Sequence, residues 1–372
     1  MKLKGKVKFV NKDKSLFFPT LRKRVDAYFS ENKLPKYGNT SIMVKSIVLL
    51  LLYVVPFAVL LTFTPHIAIS LGLWIVMGIG AAGVAMSVMH DANHGAFSNS
   101  KTMNYLMAHS VNLLGASAFN WRLQHNILHH TYTNVVEMDE DIDDMVVLRF
   151  SPHTKVKFIH RLQWAYALFF YGLLTLYWVT LKDFIQFFKY IKSGVNASSG
   201  SENTVAFIKI VAFKILYFFS ILVAPTLIFG IPFWEVLLGF MVMHFTVGII
   251  LSTVFQLAHT VEGTTHPLPS ETGVIENDWA IHQLNTTANF ARKSKWLSWY
   301  VGGLNFQIEH HLFPRISHVH YPAIADIVKQ TASEFNLTYI ESKTFMQAVR
   351  SHLNTLHRFG RLQLPNLNEV MA

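Results

Sequence analysis

Seven histidines in this chain stand at spacings that can do metal chemistry: His90 and His94, then His125, His129 and His130, and far downstream the doublet His310-His311. On an α-helix, residues four apart share a face, so His90 with His94, and His125 with His129, can each clamp one metal ion. His130 lies about 140° around such a helix from His125, so it points elsewhere and can serve a second ion. Neutral imidazole suits iron, zinc, copper or nickel, whereas carboxylate and water suit magnesium or calcium. A transition metal is therefore expected. Solitary histidines such as His66, His109, His244 and His352 read as satisfied or exposed side chains. Doublets in two separate places, each with a further polar residue three or four positions upstream, do not reduce to that.

The elements that must position these imidazoles are membrane spans. Of 372 residues, 51% are hydrophobic and 14% aromatic, which fits a polytopic membrane protein better than two soluble domains. Cysteine is absent, which excludes disulfides, thiolate zinc sites and cysteine-ligated iron–sulfur clusters within the chain. Any electrons must come from another protein. The basic run Lys2, Lys4, Lys6, Lys8, Lys12, Lys14, Arg22, Lys23 and Arg24 reads as a cytosolic, lipid-facing flank rather than a nucleic-acid arm. No cleavable signal peptide is expected, since the first apolar run begins near Ile42.

The fold class expected is all-α integral membrane: four transmembrane helices in two hairpins, with interfacial helices and a cytosolic helical cap holding the metal site. Spans are predicted at about 47–64, 67–89, 205–229 and 233–257. The joins Thr64-Pro65-His66 and Gly230-Ile231-Pro232 carry no lysine or arginine, so they turn on the far side. Residues 102–119 and 162–181 are assigned to the interface by parity. A crossing at either would put histidine clusters on opposite faces. The organisation expected is a basic cytosolic segment 1–41, a main domain 42–325 and a cytosolic helical tail 326–372. The acidic run Glu137 to Asp144 reads as a solvated face, ahead of a docking or supporting role.

Other residues stay open on spacing alone. His259, at the end of the fourth span, is equally a ligand or a helix-end side chain. Asp91 and Glu309 can orient imidazoles through the nitrogen that does not bind metal, or be ordinary surface charges. Trp121, Phe119, Trp279 and Phe306 flank the clusters as packing or as channel walls. Arg122, Arg149 and Lys295 can meet a phosphate or carboxylate head group.

The boxes His90-Asp91-Ala92-Asn93-His94, His125-Asn126-Ile127-Leu128-His129-His130 and Gln307-Ile308-Glu309-His310-His311 resemble those of membrane-bound fatty-acid desaturases. The resemblance is to the front-end and bacterial linoleoyl-CoA-like group, covers about residues 40–325, and includes Gly302-Gly303-Leu304-Asn305-Phe306. It implies a non-haem diiron centre ligated by His90, His94, His125, His129, His130, His310 and His311, with His259 as an additional ligand. Gln307 stands where other desaturases carry histidine, so one iron would be water-completed or glutamine-assisted; Asn305 and Trp121 are further supporting candidates. The cytochrome b5 domain often fused to such enzymes is expected to be missing, because His266-Pro267 is followed by Leu268-Pro269 rather than two glycines.

What the resemblance implies chemically is a dioxygen-dependent fatty-acyl desaturase that leaves a cis double bond and water. Removing hydrogen from an unactivated methylene needs a metal and dioxygen, since no amino-acid base can do it. Partners implied are an acyl-CoA or acyl-lipid substrate, a ferredoxin or cytochrome b5-like electron donor and membrane lipids, with no nucleic acid. The location implied is a bacterial inner membrane, active site on the cytoplasmic side. A fatty-acyl hydroxylase would keep every ligand and differ only in product. A histidine-rich metal transporter would place ligands near the membrane midplane, not past the ends of spans. An intramembrane zinc protease needs His-Glu-x-x-His, and no histidine here precedes a glutamate.

Overall fold

The computed structural model describes residues 7–11, 14–143 and 146–362. Lys2, Lys4, Lys6 and Lys12 of the basic run and Asp144 of the acidic run lie outside the described residues. The chain is mostly helical. Its main helices are α1 (Phe17–Glu31), α2 (Thr40–Phe63), α3 (Ile67–Asn93), α4 (118–132), α5 (Phe158–Ser193), α6 (Gly200–Leu227) and α7 (Phe233–His259). A cap follows, with α8 (Trp279–Thr286), α9 (Gln307–Leu312), α10 (Tyr321–Glu334) and α11 (Phe345–Phe359).

Helix α2 starts where the Asn39 side chain accepts from the Ser41 amide, and it stops at Thr64, whose φ of 40° breaks the helix before Pro65. The spans pack closely through small residues. A Cβ on Gly80 would lie 2.7 Å from the Leu52 backbone of α2, and one on Gly78 2.8 Å from the Met243 carbonyl of α7. Gly172 of α5 and Gly248 of α7 make the same kind of crossing.

Among the described residues, five helices are long and apolar enough to cross a membrane, against four expected: α2, α3, α5, α6 and α7. The addition is α5, which extends the 162–181 segment into one 36-residue helix with a π-helical stretch at Trp178–Lys182. Both of its ends are tied to the histidine side. Gln163 donates to the Leu356 carbonyl of α11, while Gln186 donates to Gln124 of α4 and Tyr190 to Glu140. Its middle lies deep, where Thr175 donates to the His244 carbonyl, about 22 Å along α7 from His259. Residues 102–119 are two short helices, Lys101–Ala108 and Ser110–Leu113, rather than one. The run ends at Gly115, where φ is +83° and a Cβ would strike the Tyr217 ring at 2.6 Å.

Two-residue strands are a small departure from an all-helical cap: Lys8–Phe9 pairs in parallel with Val274–Ile275, and Asn289–Phe290 with Glu341–Ser342. Helix α1 buries Phe17, Leu21, Val25 and Phe29 in one core with Ile324 and Val328 of α10. The amino-terminal segment is thus built into the cap.

Candidate metal centre

Helix α3 carries the first box inward through a π-helical stretch, Val84–Met89, that runs without a break into His90–Asn93. The second box sits on α4, where Arg122–His129 is π-helical and the His130 amide donates five residues back to the His125 carbonyl. This corrects the expectation drawn from α-helical geometry. Bonding at i→i+5 returns His130 to the face of His125, and their Nε2 atoms lie 3.2 Å apart instead of pointing apart.

The histidines gather in two groups. Ligand atoms of His90, His94, His125 and His310 all lie within 4.8 Å of one another, as do those of His129, His259 and His311. His125 also groups with His129 and Asp141 on the same measure. His130 stands between the groups, its ring centre 4.6 Å from that of His310 and 4.5 Å from that of His311. His259 is therefore among the imidazoles.

These residues fit a bound metal. Nε2 of His94, His129, His259, His310 and His311 is buried without a hydrogen-bond partner, an expensive arrangement unless something else takes the lone pair. The single in-plane position on His125 Nε2 faces both His90 Nε2 at 3.0 Å and His130 Nε2 at 3.2 Å, so hydrogen bonding cannot satisfy both. Nitrogens sharing one metal at bonds of about 2.0–2.1 Å stand roughly 2.9–3.4 Å apart. Both amide atoms of Gln307, one helical turn before His310 and His311, are likewise buried and unpartnered.

The other ring nitrogens show what holds the imidazoles. His129 Nδ1 is 3.1 Å from both oxygens of Asp139 and 3.3 Å from Asp141. His311 Nδ1 donates to Gln283 Oε1 at 2.8 Å, His259 Nδ1 to the Thr286 carbonyl at 3.2 Å, and His310 Nδ1 lies 3.1 Å from the Tyr321 hydroxyl. Such bonds fix the tautomer and leave Nε2 free to bind a metal. The solvated-face reading of the acidic run fails for Asp139, 1% exposed, which also accepts from the Asn134 and Asp141 amides. Its spacing from His129 carried no helical signal, because a turn at Asn134 folds it back.

Asp91 and Glu309 do not bond a box histidine. Asp91 accepts from Ser317 and His318, and His318 Nε2 meets Lys45 at 2.7 Å, so this carboxylate ties α3 and α2 to the cap. Glu309 accepts from Asn289 and Tyr339, and burial pushes its carboxyl up to about 7. Asn305 donates to the Phe290 carbonyl and Ser298, holding the loop before α9. Trp121 stacks on His125 at 4.4 Å. Burial holds His94, His125, His130, His310 and His311 well below the ordinary histidine range, as neutral ligands require. His129 differs: burial lowers it, but the Asp139 charge outweighs that and raises it to about 9.

A cavity opens onto the histidines. Trp121, His125, His259, Phe255 and Leu251 line it, and it runs down to Thr175 and Trp178. Those last two, with Leu251, also line a smaller chamber closed by Tyr53, Tyr217 and His244. His244, bonded to Tyr217 and Thr175, is a satisfied side chain inside the span. Phe119 and Arg122 face a separate outer groove, and Phe306 is buried in the cap core. Trp279 donates to the His130 carbonyl. Arg149 is no head-group contact, being 0% exposed and donating to the carbonyls of Pro152, Thr154, Phe359 and Leu362. Lys295 is exposed.

The family model for fatty acid desaturases matches residues 65–343. An sn-1 linoleoyl-lipid 6-desaturase from Synechocystis is 35% identical over 348 residues, covering 93% of this chain and 96% of the relative. The enzyme of the same name from Arthrospira platensis is 32% identical, covering 92% of each. An acyl-lipid (8-3)-desaturase from Physcomitrium patens is 33% identical, over 96% of this chain and 74% of its own.

Proposed function

We propose, from the premise that this chain belongs to the fatty acid desaturase family, that its two histidine groups hold two iron ions serving dioxygen-dependent desaturation of an acyl lipid. The protein is a fatty acyl desaturase, an oxidoreductase of the membrane. The observation that carries the ligand assignment is the convergence of buried, unpartnered Nε2 atoms from three boxes and the end of α7.

In this reading His90, His94, His125 and His310 hold one iron, and His129, His259 and His311 the other. His130 stands between them, and Gln307 lies beside the doublet to complete a coordination sphere directly or through water. The irons with dioxygen would supply the oxidising power that no side chain has. The residues do the rest. Asp139, Gln283, the Thr286 carbonyl and Tyr321 fix the imidazole planes, and Trp121, Phe255 and Leu251 present a dry wall to an acyl chain. The chamber under Thr175 and Trp178 receives the methyl end, while Tyr217 and His244 close it. Residues 42–325 carry this machinery.

Helix α5 dips into the bilayer and returns, which leaves four full crossings and the three histidine boxes with His259 on the cytoplasmic side of a bacterial inner membrane. Electrons come from a separate ferredoxin or cytochrome b5-like protein. The relatives named for acyl lipids make a glycerolipid the favoured acyl carrier over CoA.

The test is expression in a host lacking polyunsaturated lipids, fed saturated, mono- and diunsaturated acids, with fatty-acid profiling by mass spectrometry. A new cis double bond, absent from a His129→Ala, His310→Ala variant, is expected. A hydroxylated product in its place would move the chain to the hydroxylase chemistry that shares these ligands.

A further inference from the structure

A groove of about 740 Å³ lies outside the histidine groups, between residues 105–122 and the first five turns of α6. Its floor is apolar: Ala116, Ala118, Phe119, Val205, Ile210 and Phe213. Charged and titratable groups also face it, and most are already engaged. Glu202 caps its own helix by accepting from Ser199, Lys214 pairs with Asp183 at 2.7 Å, and His109 bonds the Tyr105 carbonyl. Arg122 and Lys209 are different. They are exposed, stand on opposite walls, and make no hydrogen bond or ion pair among the described residues. A long apolar trough with two unpaired cations matches an anionic amphiphile.

The groove also abuts the route to the histidines. Ala116 lines both it and the chamber closed by Tyr53 and Tyr217; that chamber shares Thr175, Trp178 and Leu251 with the cavity at His125 and His259. The outer wall is a span, with Val205 and Leu216 more than half exposed, so the trough faces lipid.

We propose that this groove seats a phosphate-bearing glycerolipid taken from the bilayer, its phosphate between Arg122 and Lys209 and its acyl chains along α6, as the form in which substrate reaches the site. The proposal deepens the acyl-lipid desaturase reading and rests on it. Arg122 and Lys209 act as binding residues, one wall away from the irons.

The test is retention of phosphatidylglycerol by the full-length protein in nanodiscs, read by native mass spectrometry against a neutral glycolipid competitor. An Arg122→Ala, Lys209→Ala variant is expected to retain it about thirtyfold more weakly, as two lost cationic contacts predict. Ala212→Trp, which fills the groove and keeps both cations, is expected to lose retention as well. Iron content and thermal transition equal to wild type establish that each variant is folded. Wild-type retention by both folded variants would overturn the proposal. So would loss of palmitoyl-CoA binding with phosphatidylglycerol retained, which would assign the two cations to CoA phosphates. The readout needs no turnover. If the wild type makes no double bond while retention still follows the groove variants, the desaturase reading fails and the lipid site stands.

Discussion

The group of three histidines and the group of four are made of the same imidazoles but held in different ways. In the group of three, every Nδ1 is anchored: His129 to Asp139, His259 to the Thr286 carbonyl, His311 to Gln283. In the group of four, His310 alone has such a partner, Tyr321, among the described residues. His90, His94 and His125 are placed by helices that continue through π-helical turns and by ring packing, as in the Trp121 stack on His125. One half of the centre is set by hydrogen bonds with a carboxylate among them. The other is set by backbone continuity. A carboxylate behind an imidazole raises its basicity as well as fixing its plane, so on the proposed assignment the group of three would hold its metal more tightly and the group of four would be the more easily disturbed.

Removing a ligand should produce the largest effects and test whether there are two sites at all. His129→Ala and His310→Ala are each expected to lower desaturation more than about a hundredfold, beyond what loss of a supporting residue does. Mössbauer spectra of the iron-loaded variants should show loss at different sites. Identical residual spectra would mean a single shared site and would end the comparison.

Asp139→Asn comes next. It keeps the shape of the side chain and removes its charge, and is expected to weaken iron binding in the group of three by about 10–100-fold while the group of four fills normally. Tyr321→Phe removes the one comparable bond in the group of four, made by a neutral hydroxyl, so the loss should be only severalfold. Iron titration followed at both sites decides between them. If Tyr321→Phe proved as costly as Asp139→Asn, the two groups would not differ in how they are held.

The sequence disclosed the parts of this centre that depend on spacing along a helix and concealed those that depend on turns. Histidine doublets and apolar runs were enough for the gathering of the boxes and for a mostly helical membrane protein, but not for the number of its long apolar helices. Asp139 was hidden because its approach to His129 depends on Asn134, which at φ 60° reverses the chain. Gln283 and Tyr321 were hidden because their partners lie 28 and 11 residues away across the cap. His130 was misplaced because nothing in Arg122–His129 announces i→i+5 bonding. Helix α5 shows the same limit on a larger scale, since hydropathy measures length and burial measures depth, and only its bonds at Gln163, Gln186 and Tyr190 reveal where its ends lie.

If backbone continuity does hold the group of four, a substitution that pushes on a π-helical stretch should disturb it without touching a ligand. Gly302 provides the site. Its φ is +62°, and a Cβ there would lie 2.5 Å from the Met86 carbonyl and 2.7 Å from Ser87, both in the stretch that delivers His90 and His94. Gly302→Ala therefore combines left-handed strain of about 1–2 kcal/mol with a backbone contact that cannot relax unless α3 shifts. Gly194→Ala makes the control, because its φ of +75° carries similar strain but no atom lies within 4 Å of the added methyl group. Both variants should lower the thermal transition in detergent by a few degrees. Only Gly302→Ala should also weaken iron binding, by a fewfold and in the group of four alone. Equal iron affinity in the two variants would show that the π-helical stretch yields without moving its histidines, and that ring packing by itself keeps that half of the centre in place.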